Sequence, residues 1–112
     1  HYGKVNPYEH QAVLQVLRYI ESNYRTASLQ QLSQMMNESL YQLSRFIKKN
    51  TGHTFKELLL QKRLNQAAFL LPTTKLPVSD IIYHVGYDNT SYFHRVFREK
   101  YGMTPKEYRE KQ

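Results

Sequence analysis

A chain of 112 residues, 40% hydrophobic and 13% aromatic, is long enough for one domain or for two very small lobes, around a core built largely from ten Tyr and five Phe. The absence of Cys excludes a disulfide framework, a thiolate metal site and a cysteine nucleophile, and the longest apolar run, Ala67 to Leu71, is far too short to span a bilayer. Sixteen Lys and Arg against nine acidic residues leave a net charge of +7, which favours a polyanionic partner over a neutral one.

Residues 1–7 read as a leader, and His rather than Met at position 1 suggests a fragment of a longer protein. From Tyr8 a helical period begins, with Val13, Leu17, Ile20 and Tyr24 on one face and Arg18 and Glu21 off it. Ser28 to Gln31 has the pattern of a capping box, in which a hydroxyl takes a backbone N–H and a side chain three residues on reaches back. It opens a short helix with Leu29, Leu32, Met35 and Met36 inward. That helix stops near Asn37, a residue that tolerates the left-handed conformation of a tight turn. Ser39 to Gln42 is a second capping box. The helix behind it buries Leu40, Leu43, Phe46 and Ile47, and Gly52 stops it. Thr54 to Glu57 opens the longest run, to about Leu71, where Pro72 ends it. Its apolar side holds Phe55, Leu58, Leu59, Ala67, Ala68 and Leu71. Pro77 suits the first turn of a further short helix with Val78, Ile81, Ile82 and Val85 inward, closed by Gly86. Asp88 or Asn89 caps the next helix, which buries Tyr92, Phe93, Val96 and Phe97 and ends at Gly102. Thr104 to Glu107, with Pro105 at the first helical position, starts the last one. Nothing alternates with period two, so the expectation is all-α, with about seven helices and no strand.

The chain also repeats itself. Residues 89–109, NTSYFHRVFREKYGMTPKEYR, align with residues 39–59, SLYQLSRFIKKNTGHTFKELL, after a shift of fifty positions. Arg95 falls on Arg45, Gly102 on Gly52, Thr104 on Thr54 and Glu107 on Glu57. A repeat of this kind fixes the architecture. Two short helices joined by a tight turn, the second showing Arg and polar groups, describe a helix-turn-helix. The chain carries two, over residues 8–53 and 72–112, with residues 54–71 as a linker helix. An α-helix fits the major groove, where side chains near its N-terminus reach base edges and Lys or Arg one turn on meet phosphates. This places Tyr41, Ser44 and Arg45 in the first unit, and Thr90, Ser91, His94 and Arg95 in the second, as candidate base readers. Gln42, Lys48, Lys49, Arg98 and Lys100 are candidate phosphate contacts. A linker of about 18 residues is roughly 27 Å long, the scale of successive major grooves on one face of a duplex.

These residues resemble the DNA-binding domain of the AraC/XylS transcription regulators from about Tyr8 to Arg109. The most specific stretch is GYDNTSYFHRVFREKYGMTPKEYR, residues 86–109, and residues 32–52 fit more loosely. The resemblance implies two helix-turn-helix lobes on a linker helix, contacts to adjacent major-groove segments at the positions named above, and recruitment of RNA polymerase. It also implies a sensor, dimerisation or receiver domain preceding His1. With two units in one chain this fragment is expected to be monomeric, and it is expected to be cytoplasmic and without cofactor. The chain departs from the family pattern at Asn37, where Gly is usual, at Ser33 and Ile82, where Ala is usual, and at Leu40, where Pro is common. Asn37 predicts a wider first turn and Ile82 a wider spacing in the second pair.

Other readings weigh against these. Arg45 and Arg95 could be solvated or ion-paired, and Lys48, Lys49 and Arg98 could serve solubility alone. His94 lacks a partner at i+4, and the five His form no recognisable metal set. Tyr83, Tyr87, Tyr92, Tyr101 and Tyr108 fit core packing better than base stacking, with Tyr41 outward. No phosphate loop, GxSxG or Cys supports an enzyme. The alternatives to a DNA-binding output domain are a basic helical module for an acidic partner protein, and the DNA-binding part of a larger multifunctional protein.

Overall fold

The computed structural model describes residues 7–111, and among them the chain forms seven α-helices and no strand: α1 (Pro7–Asn23), α2 (Leu29–Met36), α3 (Leu40–Thr51), α4 (Phe55–Thr73), α5 (Val78–His84), α6 (Thr90–Tyr101) and α7 (Pro105–Lys111). Contacts divide the chain inside α4, into one compact unit that ends at Leu60 and another that begins at Gln61. Pro7 belongs to α1, and the rest of the expected leader lies outside the described residues.

The first unit packs α1, α2, α3 and the start of α4 around Val16, Tyr19, Ile20, Leu32, Leu43, Ile47, Phe55 and Leu59. The buried row of α1 is Ala12, Val16, Tyr19 and Ile20, one residue away from the face expected from Val13 and Leu17. Leu17 is exposed and Val13 half-buried. The choice falls to the row that holds Tyr19, because its hydroxyl has a partner to reach. It accepts a hydrogen bond from the Ser28 N–H (3.0 Å) and donates to Gln31 Oε1 (2.5 Å), so a tyrosine closes the capping box that Gln31 was expected to close alone. The Ser28 Oγ accepts from the Gln31 N–H at 3.0 Å. Met35 and Leu40, expected inside, are exposed. In α2 the buried positions are Leu32 and Ser33, and Ser33 satisfies its hydroxyl by donating to the Gln30 carbonyl at 2.7 Å.

The turn between α2 and α3 is tight, contrary to the wider one expected. Asn37 takes the left-handed conformation (φ 57°, ψ 43°), and the Glu38 N–H donates back to the Ser33 carbonyl at 2.9 Å. The turn between α5 and α6 repeats this closure, with Gly86 at φ 114° and the Tyr87 N–H donating to the Ile82 carbonyl at 3.1 Å. From the left-handed residue to the helix cap the first turn runs from Asn37 to Ser39, and the second from Gly86 to Asn89, one residue longer. Of the two expected caps on α6, Asn89 is the one used, its Oδ1 accepting from the Tyr92 N–H at 3.0 Å.

The second unit buries Leu64, Ala67 and Leu71 of α4, Ile81 and Ile82 of α5, Phe93, Val96 and Phe97 of α6, and Pro105 of α7. Ile82 is fully buried where the first unit has Ser33. Phe97 stacks on Phe93 (ring centroids 5.6 Å), on Tyr101 (4.6 Å) and edge-on with Tyr108 (5.5 Å). Each such pair contributes roughly 0.5–1.5 kcal/mol beyond its buried area. Tyr83 is the exception to the expected tyrosine packing and stands exposed. The helix α4 passes through Pro72 to Thr73 rather than stopping before it. Proline removes one N–H from the last turn, but the final carbonyls still find donors. Thr73 Oγ1 serves Phe69, the N–H and Oγ1 of Thr74 serve Leu70, and Arg109 Nε serves Leu71 at 2.7 Å.

The starts of α4 and α7 are reciprocal capping boxes. The Thr54 N–H donates to Glu57 Oε1 (2.9 Å) while the Glu57 N–H donates to Thr54 Oγ1 (3.0 Å); Thr104 and Glu107 do the same at 2.9 and 3.1 Å. Those backbone N–H bonds hold both carboxyls below the ordinary glutamate value.

Candidate nucleic-acid interface

The helices α3 and α6 are built to the same plan. Each has twelve residues, a side-chain oxygen at its N-cap (Ser39 or Asn89) and a left-handed glycine at its stop (Gly52, φ 78°, or Gly102, φ 76°). Each buries an apolar row, Leu43 and Ile47 in one and Phe93, Val96 and Phe97 in the other. The side chains on the opposite side face solvent. Tyr41, Gln42, Ser44, Arg45, Lys48 and Lys49 are all exposed on α3, and Thr90, Ser91, His94, Arg95 and Arg98 on α6.

Within α3 the Arg45 guanidinium lies over the Tyr41 ring, 5.6 Å from its centroid. Lys48 Nζ donates to the Gly52 carbonyl (3.3 Å), which sets a cation at the negative end of the helix. Lys49 Nζ is 3.6 Å from Glu9 Oε2 of α1. Glu9, Gln42, Ser44, Arg45, Lys48 and Lys49 line a broad open groove of about 740 Å³ beside the helix, together with Phe46 and Thr54. All are in the first unit, and cations outnumber the single carboxylate.

The outer face of α6 is arranged differently. Arg95 lies over the Tyr92 ring (5.2 Å to its centroid) and 3.4 Å from Glu99 Oε2. His94 Nδ1 is 2.8 Å from the Thr90 carbonyl. As a hydrogen bond this contact needs the proton on Nδ1, so the neutral ring keeps Nε2 as an acceptor, suited to an amino group on a base edge. Lys100 does not join this face. Its ammonium donates to Gln61 Oε1 and to Asn65 Oδ1 (2.9 Å) of α4, and burial draws its pKa down. The residue stands two positions beyond Arg98, about 200° round the helix, and that rotation turns it to α4. Its charge fits the phosphate role expected for it, and its direction does not.

Three groups that touch the candidate cations were missed. Tyr92 and Glu99 stand at i−3 and i+4 of Arg95, a spacing visible in sequence. Glu9 is forty residues from Lys49 and left no local signal. Tyr92 was assigned inward, and it is half-buried, with its ring shared between Tyr87 (5.8 Å) and Arg95.

Two helix-turn-helix units, each presenting an arginine from the outer face of its second helix, define the class of this protein as a tandem helix-turn-helix domain. The profile of a helix-turn-helix domain family matches residues 32–111. The transcriptional activator RhaS of Mannheimia succiniciproducens is 31% identical over 96 residues, covering 85% of this chain and 36% of that protein. The regulatory protein SoxS of Salmonella typhimurium is 32% identical over 102 residues, covering 89% of this chain and 95% of that one. Among solved structures, the C-terminal domain of the two-component response regulator yesN from Fusobacterium nucleatum superposes with a TM-score of 0.81 at 38% identity, covering 88% of this chain and 98% of that one. The chain belongs to the AraC/XylS family of helix-turn-helix DNA-binding domains. It spans between about a quarter and about a third of the length of RhaS and of the xylose operon regulatory protein of Escherichia coli, another relative.

Proposed function

We propose that this chain is the output domain of a transcription regulator and binds a specific DNA duplex through α3 and α6, one in each of two major-groove segments. The observation that carries this reading is the matched placement of Arg45 and Arg95. Both are exposed, both stand six residues past the N-cap, and both helices bury their opposite side in a helix-turn-helix. Base readers are Tyr41, Ser44 and Arg45 on α3, and Thr90, Ser91, His94 and Arg95 on α6. Gln42, Lys48, Lys49 and Arg98 supply affinity that is blind to sequence and falls with salt. Lys100, engaged by Gln61 and Asn65, is left out. The regulator would recruit RNA polymerase, work in the cytoplasm, and take its signal through a sensor, dimerisation or receiver domain on the same polypeptide. The domain itself is neither an enzyme nor an oligomer in this reading.

A duplex recovered by selection from random sequence supplies the test. Arg45→Ala and Arg95→Ala should each cost about 1–3 kcal/mol of preference between that duplex and a scrambled one at fixed salt. If neither changes the preference, the reading fails. Binding to no duplex at low salt would point to an acidic protein partner.

A further inference from the structure

We infer that Tyr92 and Tyr41 are positioning residues that hold Arg95 and Arg45 in the posture from which each reads a base. The inference rests on the DNA-binding reading above and assigns a role in it to Tyr92, outside the base-reading set, and a new one to Tyr41. Each candidate arginine of the repeat has a tyrosine ring under its guanidinium, at 5.2 Å for Arg95 and 5.6 Å for Arg45, within the range at which the ring quadrupole attracts a cation. The two rings do not occupy equivalent positions. Tyr92 is at i−3 of Arg95, and its counterpart in the first unit is Gln42. Tyr41 is at i−4 of Arg45, and its counterpart in the second is Ser91. The same contact therefore recurs without the same sequence, and it is not a by-product of duplication.

The spacing has a geometric consequence. At 3.6 residues per turn, i−4 lies about 40° to one side of the arginine's row and i−3 about 60° to the other. The two rings thus flank their arginines from opposite sides. An arginine on an exposed helix samples many rotamers, and ordering it on binding is costly. A ring against one plane of the guanidinium leaves its N–H edge uncovered, and that edge forms the bidentate pair with guanine O6 and N7; at Arg95 one N–H now meets Glu99 Oε2 at 3.4 Å and exchanges that exposed partner for the base. The ring fixes the plane and the edge reads. On this account Tyr41 acts through Arg45 and needs no hydroxyl contact to a base.

The experiment is a double-mutant cycle on the selected duplex and on its single-base-pair variants. Tyr92→Leu should lower the preference at the base pair that Arg95 reads by about 2- to 5-fold and leave the salt slope unchanged. Tyr92→Phe should keep it, because the ring carries the effect. On an Arg95→Ala background, Tyr92→Leu should remove nothing further. Uniform weakening across all sequences, or an equal loss on the Arg95→Ala background, overturns the proposal. Tyr92 also contacts Tyr87, so thermal unfolding is followed in parallel. Should Tyr92→Leu fail to fold, the decision passes to Tyr41→Leu and Tyr41→Phe with Arg45, since the Tyr41 ring is 66% exposed and supports no core. If Arg95→Ala and Arg45→Ala themselves change no preference, the DNA-reading assignment has failed and this inference falls with it. A preserved arginine effect with silent tyrosines removes this inference alone.

Discussion

The two matched helices, α3 and α6, share a length, a kind of cap and a kind of stop, but they differ in both of their faces. The buried row of α3 is aliphatic, Leu43 and Ile47, in a core whose aromatic members, Tyr19 and Phe55, come from α1 and α4. Under α6 the core is aromatic, and Phe97 alone meets three other rings. On the outside the sign of charge reverses at one position. Lys49 stands where the second helix has Glu99, and only α6 carries a carboxylate of its own beside its arginine. A repeated backbone plan therefore fixes where side chains point and leaves their chemistry free to diverge.

The widest separation between the two should appear in stability. Phe97→Ala should cost about 3–5 kcal/mol, and Ile47→Ala should fall lower within about 2–5 kcal/mol, because Phe97 also gives up its ring contacts. Urea unfolding followed by circular dichroism measures both; equal losses would mean that the aromatic cluster adds nothing beyond buried area. Next comes the support unique to the first unit. Tyr19→Phe removes the hydroxyl between Ser28 and Gln31, and about 1 kcal/mol should be lost in the same assay. The charge difference should show in salt dependence. Replacing Lys48 and Lys49 by Gln should lower the slope of log affinity against log salt by up to about 2, and Arg98→Gln by about 1. Because Glu9 already meets Lys49, a shortfall in the first value that Glu9→Gln restores would identify that ion pair as the cause. The smallest effect belongs to Glu99. Glu99→Lys gives the outer face of α6 a cation where α3 has Lys49, should change stability by only a few tenths of a kcal/mol, and should tighten binding to scrambled duplex at low salt.

Acid provides a further check on the shared plan. The carboxyls of Glu57 and Glu107 are depressed in the folded chain, so their contribution is present above the ordinary glutamate pKa and is lost as pH falls through their lowered values. Replacing either by Ala should flatten the decline of thermal stability below about pH 4.5, and replacing both should flatten it further. An unchanged acid limb would show that the capping bonds do not persist in solution.

Much of this organisation could be read from residues in order. The caps at Ser28, Ser39, Thr54 and Thr104, the stops at Gly52, Gly86 and Gly102, and the left-handed Asn37 are local signals, and local hydrogen bonds realise them. The periodicity of α1 favours Val13 and Leu17 because they are larger than Ala12 and Val16, while burial follows the partners that Tyr19 finds nine and twelve residues on, at Ser28 and Gln31. That Lys100 turns to Gln61 and Asn65 of α4 could not be read from its charge, which says nothing about rotation round a helix. The contact of Glu9 with Lys49 depends on tertiary packing, and no spacing in the sequence announces it.

The identical cap-to-stop length of α3 and α6 makes their outer surfaces interchangeable parts. Position for position, Leu40, Tyr41, Ser44 and Arg45 correspond to Thr90, Ser91, His94 and Arg95, and none of the first four is buried. Since the arginines already match, Leu40→Thr, Tyr41→Ser and Ser44→His would print the second reading head onto the first, and Gln42→Tyr would bring its ring along. Such a chain should select a duplex carrying the same half-site twice. Retargeting this scaffold is then a matter of editing a few solvent-facing letters on a cylinder whose ends are already set.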